Sequence, residues 1–264
     1  MSVALRLCVG FAAALAASLP ALEARSEESA IVKNIVLVHG ANNDGSAWRG
    51  VYDILTKDGY HVSVVQQPLT GLADDVAATE RVIDRQEGPV ILVGHSYGGT
   101  IITVAGADPK VRALVYVAAL QPDIGETTNK LAASMPGTIP ASDIKQTKDG
   151  FLFIDPAKFA ADVGADLPPA QAEFMANSQV PVAAAAFDAP VTVAAWHDKP
   201  RYGIIATADR ALNPKLARWM YARSGAQVTE IDGSHLVYIS HALAVARVIE
   251  RAAHSITENT TKRQ

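Results

Sequence analysis

Short apolar runs alternating with helical patterns constrain this chain more than any other feature. Ile35 to Val38, Val62 to Val65, Val90 to Val93, Ala113 to Val117, Tyr202 to Ala206 and Val228 to Ile231 are short and rich in Val and Ile, as strands buried on both faces require. Helical patterns separate or follow them: Trp48 to Asp58, Asp74 to Gln86, Gly99 to Ala107, Pro214 to Ser224 and Leu243 to Ala253. This alternation predicts an α/β fold, a mostly parallel sheet flanked by helices on both faces, with functional residues at the carboxyl ends of strands. Gln121 to Ala189 breaks the rhythm. It is rich in Pro and Ala, holds no convincing buried strand and is too long for a bare loop, so a helical cap inserted over the sheet is expected at 121–189.

Composition excludes several classes. A chain of 264 residues, 49% hydrophobic, can bury a full core and is not disordered. The net charge of −4, from 23 basic and 27 acidic residues without a long single-sign block, leaves no electrostatic footprint for nucleic acid. The single cysteine, Cys8, can form neither an internal disulfide nor a Cys-rich metal site. Chemistry must therefore rest on oxygen and nitrogen groups, and no metal or cofactor is expected.

Cys8 sits in a segment of its own. Residues 1–24 run from one cation, Arg6, through the apolar stretch Leu7 to Leu19, to Pro20 and the small-residue stretch Ala21 to Ala24. That is the order of a secretory signal peptide, and the stretch is short against the roughly 20 apolar residues of a membrane span. The expectation is an exported protein, periplasmic or secreted, with residues 25–264 as the domain and no stable membrane insertion after cleavage. The competing readings are an N-terminal anchor or a misplaced start codon.

Three places carry the chemistry. The apolar run from Val90 leads into Gly94-His95-Ser96-Tyr97-Gly98 and then a helical pattern. A strand, Gly-x-Ser-x-Gly and a helix make a sharp turn that lifts one hydroxyl, here Ser96, above the strand ends as a nucleophile. A serine hydroxyl needs a base to accept its proton. Of the seven histidines, His235 fits best, because it follows the last strand in Asp232-Gly233-Ser234-His235, a loop able to aim an imidazole back over the sheet. A carboxylate must orient that imidazole. Asp209 stands just after Tyr202 to Ala206, with Asp123 as the main rival and Asp232 too close along the chain to turn back.

The third place is the run Val38-His39-Gly40-Ala41-Asn42 at the end of the first strand. Acyl transfer develops negative charge on a carbonyl oxygen, which two backbone N–H groups must meet. Tyr97, directly after the nucleophile, and Ala41 are the expected pair. A phosphate-binding loop is disfavoured, since neither Gly-x-Gly-x-x-Gly nor a Lys-Ser/Thr ending is present.

Taken together, His39-Gly40-Ala41 with Ser46-Ala47-Trp48, Gly94-His95-Ser96-Tyr97-Gly98-Gly99, Ala208-Asp209-Arg210 and Ser234-His235 resemble the α/β-hydrolase superfamily. Within it, the likeness is to the small esterase-like group that includes the plant hydroxynitrile lyases. The resemblance implies an eight-stranded sheet, a helical cap, Ser96, Asp209 and His235 as a catalytic triad, and a small-molecule ester as substrate. Two departures narrow it. The lyases carry a lysine after the catalytic histidine and a threonine near the first oxyanion donor, where this chain has Leu236 and Asn42. The dehalogenase branch uses an aspartate nucleophile, where this chain has Ser96. A serine esterase is therefore expected. Lactone or amide hydrolysis, a lyase reaction on the same site, and a non-catalytic binding protein stand as the alternatives.

Overall fold

The computed structural model describes residues 31–261. The expected signal peptide and Cys8 lie outside the described residues. Along the chain, β1 (Asn34–Val38) is followed by α1 (Arg49–Lys57), β2 (His61–Val64), α2 (Leu72–Asp84), β3 (Val90–His95), α3 (Gly98–Ala105) and β4 (Val111–Val117). Next come α4 (Thr128–Ser134), β5 (Ile144–Gln146), β6 (Phe151–Ile154), α5 (Pro156–Val163), α6 (Pro169–Asn177), β7 (Val182–Ala183) and α7 (Ala184–Asp188). The chain then forms β8 (Arg201–Ala206), α8 (Pro214–Ser224), β9 (Gln227–Ile231), α9 (Val237–Ser240) and α10 (Ala242–Thr261).

Six strands form one parallel sheet in the order β2-β1-β3-β4-β8-β9. Because strand side chains alternate between faces, the central strands feed two separate cores. Ile35, Leu37, Ile91, Val93 and Val115 point to one face, where α1 and α10 cover them with Val51, Leu55, Val245 and Ile249. Val36, Val38, Leu92, Leu114 and Tyr116 point to the other, under Val76 of α2, Ile101 and Ile102 of α3 and Met220 of α8. The result is three layers, helix, sheet and helix. All six strands read from the residues are present, but the burial on both faces expected of them fails for β2 and β9, which lie at the sheet's edges and are partly exposed. The eight implied by resemblance are not all present: among the described residues the main sheet has six. Ile31 lies only three residues before β1, and the long interval between β4 and β8 is consumed by the cap, so no described segment is left to lengthen the sheet.

The cap also differs from the purely helical insertion expected. Alongside α4 to α7 it contains a small antiparallel sheet, β5-β6-β7. The β5–β6 hairpin turns at Asp149-Gly150, where Gly150 takes a φ of 91° and Thr147 N–H donates to Phe151 O at 2.8 Å. Asp-Gly is a strong hairpin signature. It is obscured because β5 is exposed throughout and carries no apolar alternation. No helix among the described residues is long and apolar enough to cross a membrane.

Strand order reverses between β1 and β3, since the chain leaves β1 for β2 on one side and returns to β3 on the other. The crevice at such a switch point, outside the carboxyl ends, is where ligands bind open α/β sheets. Val38 of β1 pairs with Gly94 of β3, so the His39-Gly40-Ala41 and His95-Ser96-Tyr97 exits lie side by side.

Candidate active site

Ser96 occupies the turn between β3 and α3 with a φ of 53°, a left-handed conformation that costs a non-glycine residue roughly 1–2 kcal/mol. Its glycine neighbours make the turn possible. A Cβ on Gly94 would lie 2.5 Å from Gly98 O, and one on Gly98 would lie 2.7 Å from His39 O. Backbone packed this tightly holds the turn closed. Ser96 O accepts from Gly99 N–H at 2.9 Å and from Leu120 N–H at 3.1 Å.

His235 Nε2 lies 2.9 Å from Ser96 Oγ, and His235 Nδ1 lies 2.7 Å from Asp209 Oδ2. The imidazole and carboxylate are buried while Ser96 is half-buried. The second oxygen of Asp209, Oδ1, accepts from the N–H groups of Ala211 and Leu212 at 2.8 and 2.9 Å. With both oxygens engaged, the carboxylate is fixed in the plane that faces His235. A carboxylate there fixes the histidine proton on Nδ1 and leaves Nε2 free to accept from Ser96. The loops that carry Asp209 and His235 are joined to each other by Thr207 N–H to Ile231 O at 2.9 Å and Ala208 N–H to Gly233 O at 3.1 Å.

The rival acids lie elsewhere. Asp123 pairs with His197 at 2.8 Å, and Asp232 accepts from Thr207 Oγ1 at 3.2 Å. Nor does Arg210 neutralise Asp209. It reaches into the cap instead, to Asp162 at 3.4 Å and Ala161 O at 3.0 Å.

The β1 exit touches Ser96 directly, for a Cβ on Gly40 would fall 2.8 Å from Ser96 Cβ. Among the described residues, the N–H groups of Ala41 and Tyr97 have no hydrogen-bond acceptor within the chain, so both are available to a bound oxygen. Tyr97 is itself anchored from below. Its hydroxyl donates at 2.9 Å to the buried Asp75, which also accepts from Leu69 N–H at 2.7 Å. Burial pushes the Asp75 carboxyl up to about 6.

His39 and His95, in the turns beside Ser96, are structural parts of the site. His39 is buried, its Nδ1 lies 2.9 Å from Gly40 O, and burial lowers it to about 4. His95 is fully buried, and its Nε2 lies 3.0 Å from the backbone carbonyl of His235. Its ring also packs at 4.7 Å from that of His235 and 4.3 Å from that of Tyr238. Burial, reinforced by His235, pushes His95 well below the usual imidazole range. The contact of His95 was not legible, because it joins residues 140 positions apart in the chain.

A cavity of about 270 Å³ flanks this centre, between the β1–α1 loop and α6. Asn42, Asn43, Ser46 and Arg49 form its polar wall, and Phe174, Met175 and Ile239 its apolar one. Ser96 and His235 are not part of its lining. Of the other aromatic cap residues, Phe159 is buried in the core and Phe187 packs edge-on against Tyr97 at 5.2 Å.

Comparison with known proteins gives a consistent likeness. The chain is 38% identical over 133 residues to a carbendazim hydrolyzing esterase from Nocardioides sp. (strain SG-4G), covering 45% of this chain and 53% of that protein. The chain thus spans about half the length of that curated relative. A pyrethroid hydrolase from Sphingobium faniae JZ-2 superposes with a TM-score of 0.70 at 24% identity, over 84% of this chain and 97% of that one. Tomato methylketone synthase I superposes with a TM-score of 0.73 at 20% identity, over 85% and 98%. At these identities the two structures speak for the fold alone. The profile of the alpha/beta hydrolase family matches residues 35–248, from the first strand of the sheet into the last helix. Sequence and fold agree, and the chain belongs to the alpha/beta hydrolase family.

Proposed function

We propose that this protein hydrolyses small carboxylic esters through an acyl-enzyme on Ser96. The observation that carries the reading is the hydrogen-bonded row from Ser96 through His235 to Asp209, with its nucleophile on a strained, half-buried turn. In the first half-reaction Ser96 Oγ attacks the ester carbonyl as His235 Nε2 takes its proton. The tetrahedral oxyanion is met by the N–H groups of Ala41 and Tyr97, each worth about 10²- to 10³-fold in rate. His235 then gives the proton to the departing alcohol. In the second half-reaction water attacks the acyl-enzyme, His235 takes the water's proton, and the collapse of the second tetrahedral species releases the acid and returns the proton to Ser96. Asp209 orients the imidazole and stabilises its charged form throughout. None of these steps calls on a metal or cofactor. The relative named as a carbendazim hydrolyzing esterase supports ester cleavage.

The test is Ser96→Ala against wild type on short-chain nitrophenyl esters, with fluorophosphonate labelling alongside. Turnover should fall by about 10⁴-fold or more and labelling should vanish. Equal turnover by the two proteins overturns the reading. Export belongs to the same proposal. Sequencing the N-terminus of the protein recovered outside the cytoplasm should give a start near residue 25; an intact Met1 there overturns cleavage, and retention of all the protein in the cytoplasm overturns export.

A further inference from the structure

The loop that presents His235 is gripped from above by the cap. Ser234, just before the histidine, donates its N–H to Asp166 Oδ2 at 3.0 Å, and its hydroxyl meets Asp166 Oδ1 and, at 2.9 Å, Val163 O. Leu236, just after the histidine, donates its N–H to the same Val163 O at 3.1 Å. Ser240 Oγ, one turn on, donates to Asp166 Oδ2 at 2.7 Å, with His241 Nδ1 at 3.7 Å from that oxygen. Val163 ends α5 and Asp166 lies in the short connection to α6, so both neighbours of the base are tied to one point of the cap.

The sequence makes room for this contact. A Cβ on Gly233 would lie 3.1 Å from Asp166 Oδ2 and 3.2 Å from His241 Nδ1, a gap that a side chain would crowd. Burial acts to raise the Asp166 carboxyl, but hydrogen bonds from Ser234 and Ser240 outweigh it and hold it below its ordinary value. An ionised carboxylate is acceptor-only, which matches the donors it meets from Ser234 and Ser240.

We infer that Asp166 is a positioning residue for the proposed reaction, fixing the His235 loop against the cap through Ser234 and thereby setting the Nε2 to Ser96 Oγ distance. The inference rests on the serine-hydrolase reading above. His235 must reach from the edge of the sheet across β8 and β4 to the end of β3, three strand spacings of about 4.8 Å each. A loop with that reach is held by few contacts. A misplacement of about 1 Å at a reacting atom can cost about 10²-fold.

The experiment compares Asp166→Asn, Asp166→Ala, Ser234→Ala and the Asp166→Ala/Ser234→Ala pair, with Ser96→Ala as reference, in nitrophenyl acetate turnover, fluorophosphonate labelling rate and melting temperature. Asp166→Ala is expected to lower kcat by about 10- to 100-fold with KM within about twofold, and to slow labelling in proportion. The pair should be little worse than the more damaged single variant, because both act on one contact. A rise in KM at unchanged kcat, additive losses in the pair, or wild-type kcat in a folded Asp166→Asn protein overturns the inference. So does failure of both Asp166 variants to fold, which makes the residue one of folding alone. Ser96→Ala separates the two layers: if it labels and turns over like wild type, the hydrolase reading itself fails, whereas an inert Ser96→Ala beside a fully active Asp166→Ala removes only the positioning role.

Discussion

His95 donates its Nε2–H to the backbone carbonyl of His235 at 3.0 Å, so the residue preceding the proposed nucleophile holds the main chain of the proposed base. A carbonyl acceptor requires the proton on Nε2, and burial keeps this ring neutral. His95→Phe fills the space but leaves that carbonyl without its donor, a loss of roughly 1–3 kcal/mol. Esterase turnover should fall at least about tenfold, and His95→Gln, which retains a donor, should recover part of both losses. Denaturant melts and kcat on one ester substrate check this, and full activity in His95→Phe counts against it.

The two candidate acids separate cleanly by geometry. Asp209 Oδ2 sits 2.7 Å from His235 Nδ1, whereas Asp123 is spent on His197. Asp209→Asn should lower kcat by about 10⁴-fold, the loss seen when the orienting carboxylate of a serine protease is neutralised. Asp123→Asn should leave kcat within about twofold. The reverse pattern reassigns the acid.

Asp75 makes stability depend on pH. Its folded carboxyl titrates at about 6 against an ordinary 3.8, because burial penalises the charge. The native state therefore binds the proton more tightly. Its contribution is fully present below about pH 4 and is lost as pH rises through about 6, up to roughly 3 kcal/mol from a shift of this size. Asp75→Asn resembles the protonated form and removes that loss. The stability of the variant relative to wild type should rise between pH 4 and pH 7, and a constant difference across that range refutes the assignment.

Gly98→Ala should be among the most damaging small substitutions in the chain. The added methyl would stand 2.7 Å from His39 O and 2.8 Å from Val38 O, main-chain atoms that cannot step aside as a side-chain tip can. Overpacking of this kind costs roughly 1–3 kcal/mol, and here it also pushes the β1 exit away from Ser96. Gly59→Ala is the control for a glycine with no atom within 4 Å, although its φ of 83° adds strain. Thermal melts and nitrophenyl ester turnover should show Gly98→Ala impaired in both, and Gly59→Ala in stability alone.

By itself the sequence determined the strands and the polar residues placed at their ends. Six apolar runs became the six strands of the main sheet: the four central ones are covered on both faces and so almost wholly apolar, whereas the edge strands β2 and β9 are partly exposed and admit polar residues. Gly94, Gly98 and Gly40 announced tight turns through the absence of a Cβ, and Ser96, Asp209 and His235 were found from their places after strands. These are local properties, visible within a few residues. Tertiary structure alone decided the rest. Which aspartate meets His235 depended on β8 and β9 being neighbours, and the clasp of Asp166 on Ser234 joins a cap connection to a loop 68 residues away. The hold of His95 on His235 spans 140 residues. The exposed β5 gave no alternation by which its hairpin could be read, since a strand that buries neither face needs no apolar pattern. Periodicity records which side of an element meets the core, whereas pairings between distant polar groups are set by the path of the backbone in space.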